Sequence, residues 1–468
     1  MPEQSFTGWV RRRSTSVRVK VADVSARILI TIAGVATIVA VAGVCVFLVG
    51  VAVPLFVPGE VERGPAFAAL LDERGEAPTT IRLGEYETIG FAWFPDGEVV
   101  VFAAADGREL ARERPFGDRV PTAAAFPPGG ETAIFGFADG TVSYGTIGFE
   151  PTFIEPSEIE PSFRTLPVGG TAVRGDGVVE RTPIGSFRIQ RLSASFSEPA
   201  RISDAAIRLV DLSMLSSGPV LAAADDDGVF HLKAATVIRN MMTRRETVRF
   251  SGGSLDAEPP IGTSGLPTHC LLEGRADSAL LVWSDGRSVR LDTRDRGDIG
   301  EAERLDLLDR EGGRVTAVSF MNGKTTLLVA DERGAIESWF RVRPSDAAVA
   351  DGLRDGSRLV RAHVFPGDPG AAATSLSASS RTRMFAAGFA DGSARLYYAT
   401  NDRLLAVCPP REGDETPATA VAISPKDDGL LVAGPGGISR WNVAIPHPQT
   451  TLGSIFGKVW YEGYEQPE

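Results

Sequence analysis

The side chains most often used as metal ligands or nucleophiles are scarce in this chain. There are three cysteines (Cys45, Cys270, Cys408) and four histidines (His231, His269, His363, His447). None recurs at the short spacing that places two or more ligands around one metal ion. No glycine-rich phosphate loop, serine nucleophile elbow or paired-carboxylate motif accompanies them. Arg174-Gly175-Asp176 matches a cell-adhesion tripeptide, but so short a string recurs by chance and carries no expectation here. The sequence therefore assigns no catalytic, cofactor-binding or metal residue, and the chain is expected to be no enzyme. An enzyme would need His, Arg or carboxylates gathered at one place, and the sequence shows no such gathering.

Other features are stronger. The 468 residues carry a net charge of −12, which argues against nucleic acid as a partner. The charge is uneven. Residues 1–27 hold six basic and two acidic side chains, a net +4, leaving −16 for the remainder. From Ile28 to Val57 no residue is charged, and a helix of that length exceeds the ~30 Å hydrocarbon core of a bilayer. The run is about twice the length of a cleaved signal's apolar core. Cys45 follows Val44 rather than a small residue and lies inside the apolar run, so it reads as buried and inert. One membrane-spanning helix is expected over residues 28–57, with Pro54 near its far end. Basic residues before it and Glu60 and Glu62 after it place residues 1–27 in the cytoplasm and the rest outside.

The remainder repeats. Apolar runs alternate with Asp-Gly or related turns, as in Val99-Val100-Val101-Phe102-Ala103 before Asp106-Gly107, Ile134-Phe135-Gly136-Phe137 before Asp139-Gly140, and Met384 to Phe389 before Asp391-Gly392. Such turns supply the positive φ a tight hairpin needs, so the runs read as short buried strands. The turn glycines fall at 107, 140, 228, 286, 334, 392 and 437, with gaps of 33, 88, 58, 48, 58 and 45 residues. The 88-residue gap holds either an eighth unit or an insertion. A four-stranded sheet cannot bury both faces alone, so such units stack and close into a ring.

This pattern resembles the WD40-like β-propellers, although no copy carries the full Gly-His and Trp-Asp pair. The resemblance implies a mainly β fold of seven blades, or eight, over residues 79–445. The early strand Thr79 to Leu83 is expected to complete the last blade. Residues 58–78 are expected to be a stalk, with a short helix around Ala66 to Leu71. The Glu-Pro pairs at 150–151, 155–156 and 160–161 read as an exposed inter-blade loop, the alternative being a docking segment for a basic partner. Cys270 and Cys408 lie in different, non-neighbouring units, so no disulfide is expected between them.

Residues 446–468 end in Gly457-Lys458-Val459-Trp460-Tyr461-Glu462-Gly463-Tyr464, a segment of the kind found beside a membrane. The order of basic tail, single span ending in Pro54-Leu55-Phe56, propeller and this motif resembles the N-terminal part of the large form of the phosphate ABC transporter permease. In that family an expanded extracytoplasmic domain follows the first span, and the permease helices come after it. The resemblance implies a bacterial inner-membrane location and an accessory role beside the permease core and the solute-binding protein. The permease helices do not occur in this sequence, so the chain by itself is expected not to translocate. The charge of −16 disfavours direct capture of phosphate. The alternative is a membrane-anchored scaffold or sensor unrelated to transport.

Overall fold

A computed structural model describes residues 15–53, 59–67, 76–128, 130–239, 246–308, 313–346, 350–367, 370–400, 402–410 and 416–444. The chain divides into two units, one of which is Gly59–Ile445. Among the described residues, the other contains a single long helix, α1 (Val17–Ala52).

Helix α1 begins eleven residues before the uncharged run, because nothing between Arg18 and Arg27 breaks a helix. Its first turns therefore carry Arg18, Lys20 and Arg27. The uncharged part from Ile28 to Ala52 spans about 37 Å at ~1.5 Å per residue, enough to cross a bilayer. Its large apolar side chains, such as Ile30, Ile38 and Val46, are exposed. This single apolar helix fits a membrane anchor.

Among the described residues, the strands of the second unit form seven antiparallel sheets. Blade 1 contains β2 (Thr80–Leu83), β3 (Ile89–Trp93), β4 (Val99–Ala103) and β5 (Glu109–Glu113). Blade 2 starts with β6 (Ala123–Ala125), β7 (Thr132–Gly136) and β8 (Thr141–Ile154). Blade 3 is built on β13 (Ile207–Leu215), β14 (Gly218–Asp225) and β15 (Val229–Arg239). Blade 4 has β18 (His269–Leu272), β19 (Ser278–Val282), β20 (Arg287–Asp292) and β21 (Gly300–Asp306). Blade 5 has β22 (Val315–Phe320), β23 (Thr326–Asp331), β24 (Ile336–Val342) and β25 (Arg358–Phe365). Blade 6 has β26 (Ala373–Ala378), β27 (Met384–Phe389), β28 (Ala394–Tyr398) and β29 (Arg403–Cys408). Blade 7 has β30 (Ala420–Ile423), β31 (Gly429–Gly434) and β32 (Gly437–Ala444).

The core is a set of seams between blades rather than one central mass. Strand residues alternate faces with a period of two, so a buried strand feeds two seams. In β4, Val100 and Phe102 pack with Leu431 and Ile438 of blade 7, whereas Val99 and Val101 pack with Phe135 of blade 2. The series continues with Ile134 against Leu212, Phe230 against Trp283, and Leu280 against Leu327. It ends with Leu328 against Phe385 and Leu396 against Leu430. Seven seams join seven blades, and the seam between blades 7 and 1 closes the ring. Each large side chain buried in a seam is worth roughly 1.5–3 kcal/mol. The fold is a WD40-like β-propeller of seven blades.

The closing strand is not the one expected from the sequence. β2 pairs with β3 as the innermost strand of its own blade. Blade 7 is completed instead by β1 (Glu60–Phe67), which pairs with β32 through Val61↔Val443 and Arg63↔Trp441. Residues 60–67 are therefore part of the propeller and not of a stalk, and Ala66 and Phe67 lie in a strand and not in a helix. Residues 68–71 lie outside the described residues. The cause is a frame error of one strand in the first repeat. Phe94-Pro95-Asp96-Gly97 is the β3–β4 turn, with Glu98 N–H donating to Asp96 at 3.1 Å and Gly97 at φ +81°. Gly97, not Gly107, is the counterpart of Gly140, 43 residues later.

The same Asp turn recurs between the second and third strands of later blades. The carboxylates of Asp139, Asp285 and Asp391 accept from the backbone N–H two residues on, a local bond that fixes the hairpin.

The 88-residue gap holds an insertion. β8 runs past its blade and pairs with β11 (Phe187–Phe196), then β10 (Gly177–Arg181) and β9 (Thr171–Arg174). Val179, Phe187 and Ile189 form a small core of its own there with Ile159. Glu150 and Pro151 therefore lie in a strand, and only the later Glu-Pro pairs lie in a loop.

Candidate functional site

The innermost strands of the seven blades surround a channel. Two adjoining cavities of about 380 and 490 Å3 share the walls formed by Ala124, Phe126, Pro128 and Ser319. Small side chains such as those of Ala123–Ala125 in β6 leave the space open.

Two basic groups stand in the channel wall. The Arg82 guanidinium on β2 donates to the carbonyls of Phe126 and Pro127, each at 2.9 Å, and to that of Gly130. It thereby ties blade 1 to the β6–β7 turn of blade 2. Burial lowers its pKa to about 10, against the opposing charge of Glu131. Lys324, in the β22–β23 turn at φ +51°, sends its ammonium to Asp211 on β13. The amide of Leu272 in β18 also donates to Asp211, at 2.7 Å. One carboxylate thus joins blades 3, 4 and 5. His269 lines the same space, and burial pushes its pKa down to about 4.

On the face carrying the turns between first and second strands lies a larger groove of about 980 Å3, at blades 4 to 6. These turns are stitched together. The Gly274 amide donates to the Lys324 carbonyl at 3.0 Å, and the Asn322 side chain donates to Ser380 at 2.5 Å. Within the groove Arg341 meets Glu273 at 3.2 Å and Asp277 at 2.9 Å. Burial raises the Glu273 carboxyl to about 7, a stronger effect than the Arg341 charge, which is shared with Asp277 and Asp355.

Behind the groove, Arg290 is buried with Asp355 and Glu303 at 2.5 and 3.0 Å. Burial alone would raise the Asp355 carboxyl, but hydrogen bonds from Arg290 and Ser357 bring it to about 2. This pair fastens β20 to the segment leading into β25.

The residues singled out in the sequence are dispersed. His231 is buried between Asp225 and Ser254, each at 2.8 Å, in a network that orders the β14–β15 turn. His363 contacts Asp402 at 2.5 Å beside the groove. His447 and the motif Gly457 to Tyr464 lie outside the described residues. Cys270 and Cys408 are free and buried, and burial pushes the Cys408 thiol up to about 12. In the tripeptide, Arg174 is paired with Glu160 at 2.7 Å and Asp176 with Arg191 at 2.9 Å. Among the described residues no three His, Cys, Asp or Glu side chains gather as a metal site. Sequence reasoning missed Arg82, Asp211, Lys324 and the groove arginines, whose partners lie on other blades and leave no local motif.

No family model matches the chain, and no curated protein matches it. Among solved structures it is similar to the β-propeller domain of Cps50 (Swd1) from Myceliophteria thermophila. The identity is 13%, over 82% of this chain and 100% of that one, with a TM-score of 0.48.

Proposed function

We propose that the protein is a membrane-anchored interaction platform that serves a phosphate ABC importer as an accessory to its permease. The observation that carries the reading is one apolar helix in the same chain as a ring of blades closed by packed apolar seams. Such a ring presents loops on fixed elements and suits docking. The choice of partner rests on the sequence order that ends in Gly457 to Tyr464. The basic flank of α1 favours a cytoplasmic N-terminus and an extracytoplasmic propeller. The partners are then the permease core and the solute-binding protein.

Crosslinking of the full chain in native membranes, followed by mass spectrometry, tests the partners. Recovery of a phosphate permease or its binding protein is expected. Recovery of neither, together with unchanged phosphate uptake when the gene is deleted, overturns the reading in favour of a scaffold or sensor unrelated to transport. External protease on spheroplasts tests the side. Cleavage of the propeller is expected, and its protection overturns the orientation.

A further inference from the structure

The groove at blades 4 to 6 has charge chemistry opposite to the chain as a whole. Arg275, in the β18–β19 turn, and Arg383, in the β26–β27 turn, both line it and are both exposed. Neither guanidinium has an ion-pair or hydrogen-bond partner among the described residues, in a chain with 60 acidic side chains against 48 basic ones. Nearby arginines behave otherwise. Arg290, Arg294, Arg341 and Arg354 are all engaged by carboxylates. The Phe340 ring, 39% exposed, and the Tyr398 ring line the same groove.

From these groups we infer that the groove binds a phosphorylated organic anion. A guanidinium fork matches the oxygens of a phosphoryl group. Arg275 and Arg383 stand on turns of different blades and contribute two such forks. The aromatic rings offer apolar faces for the organic part. The volume is that of a small-molecule site. The overall negative charge does not prevent this, because its repulsion is screened beyond a Debye length of about 8 Å at physiological salt. The groove lies outside the channel, and the inference does not depend on the importer.

Calorimetric titration of the full chain in detergent with AMP, ribose 5-phosphate, adenosine and citrate is the test. Saturable binding of AMP or ribose 5-phosphate is expected, with adenosine and citrate much weaker. R275Q and R383Q are each expected to weaken that binding by about tenfold or more, with unchanged thermal unfolding. Three results overturn the inference: no binding of either phosphorylated compound, equal binding of adenosine or citrate, or full binding by the R275Q/R383Q double variant. Glutamine keeps the side chain polar, though shorter, and removes the charge. Loss of binding in a variant that unfolds at the parental temperature therefore reports the site and not the fold.

Discussion

The Lys324 ammonium lies 2.8 Å from both carboxylate oxygens of Asp211, two blades away around the ring. Both side chains are buried. The same ammonium donates to the Leu212 carbonyl at 2.8 Å, and the Leu212 amide donates back to Asp211 at 2.7 Å. Removing one partner leaves the other charged and buried. K324M or D211N should therefore cost about 3–5 kcal/mol, read as a lower midpoint in denaturant. The double variant K324M/D211N should recover part of that loss. An unchanged midpoint in either single variant would show that the pair does not hold blades 3 and 5.

β1 closes the ring from the far end of the chain. Arg63 donates to the Pro410 carbonyl at 2.8 Å, and its guanidinium lies 4.7 Å from the centre of the Trp441 ring. A chain that begins at Gly59 should behave as a folded monomer. A chain that begins at Glu76 lacks the strand and leaves the edge of β32 unpaired, which invites association. Its unfolding midpoint should fall, and it should associate on gel filtration. Identical behaviour of the two chains would remove β1 from the closure.

Glu273 makes stability depend on pH. Its pKa is raised from 4.5 to about 7 in the folded protein, so the folded state binds the proton more tightly than the unfolded state. That contribution is complete below about pH 4.5 and is lost as pH rises through 7, amounting to about 3 kcal/mol at most. Arg341, Asp277, Arg290 and Asp355 face the group and set its value. E273Q should flatten the stability profile between pH 4.5 and 7. A profile that E273Q leaves unchanged would assign the dependence to another group.

Gly140 occupies the Asp139 turn at φ +76°, and a methyl group there would lie 2.0 Å from the Ser203 carbonyl oxygen. Backbone must move on one side or the other, and the left-handed conformation adds strain. G140A should destabilise by about 2–4 kcal/mol. By contrast, G117A has a similar φ of +60° and open space, so it should lose only about 1 kcal/mol. Equal losses in the two variants would show that the contact with Ser203 is unimportant.

The repeat was legible because its cause is local. Asp139 bonds to the Thr141 amide two residues on, and such a bond needs only neighbouring residues. Apolar runs such as Val99 to Ala103 likewise show burial on both faces without any knowledge of the partner blades. The frame of the first repeat was not legible. Asp96-Gly97 and Asp106-Gly107 are equally good turns in sequence, and only the pairing of β2 with β3 and of β1 with β32 distinguishes them. The channel and groove were illegible for a related reason. Arg82, Lys324, Arg275 and Arg383 acquire their surroundings from other blades.

By itself, the amino-acid order determined that an uncharged helix long enough for a bilayer precedes a chain of short, doubly buried sheet units. Hydropathy and turn chemistry act over a few residues and are written in them. Only the tertiary structure decided how many units close the circle, which strand completes it, and where charge is left unbalanced. Those depend on contacts between segments up to several hundred residues apart, where burial and electrostatics act through space and not along the chain.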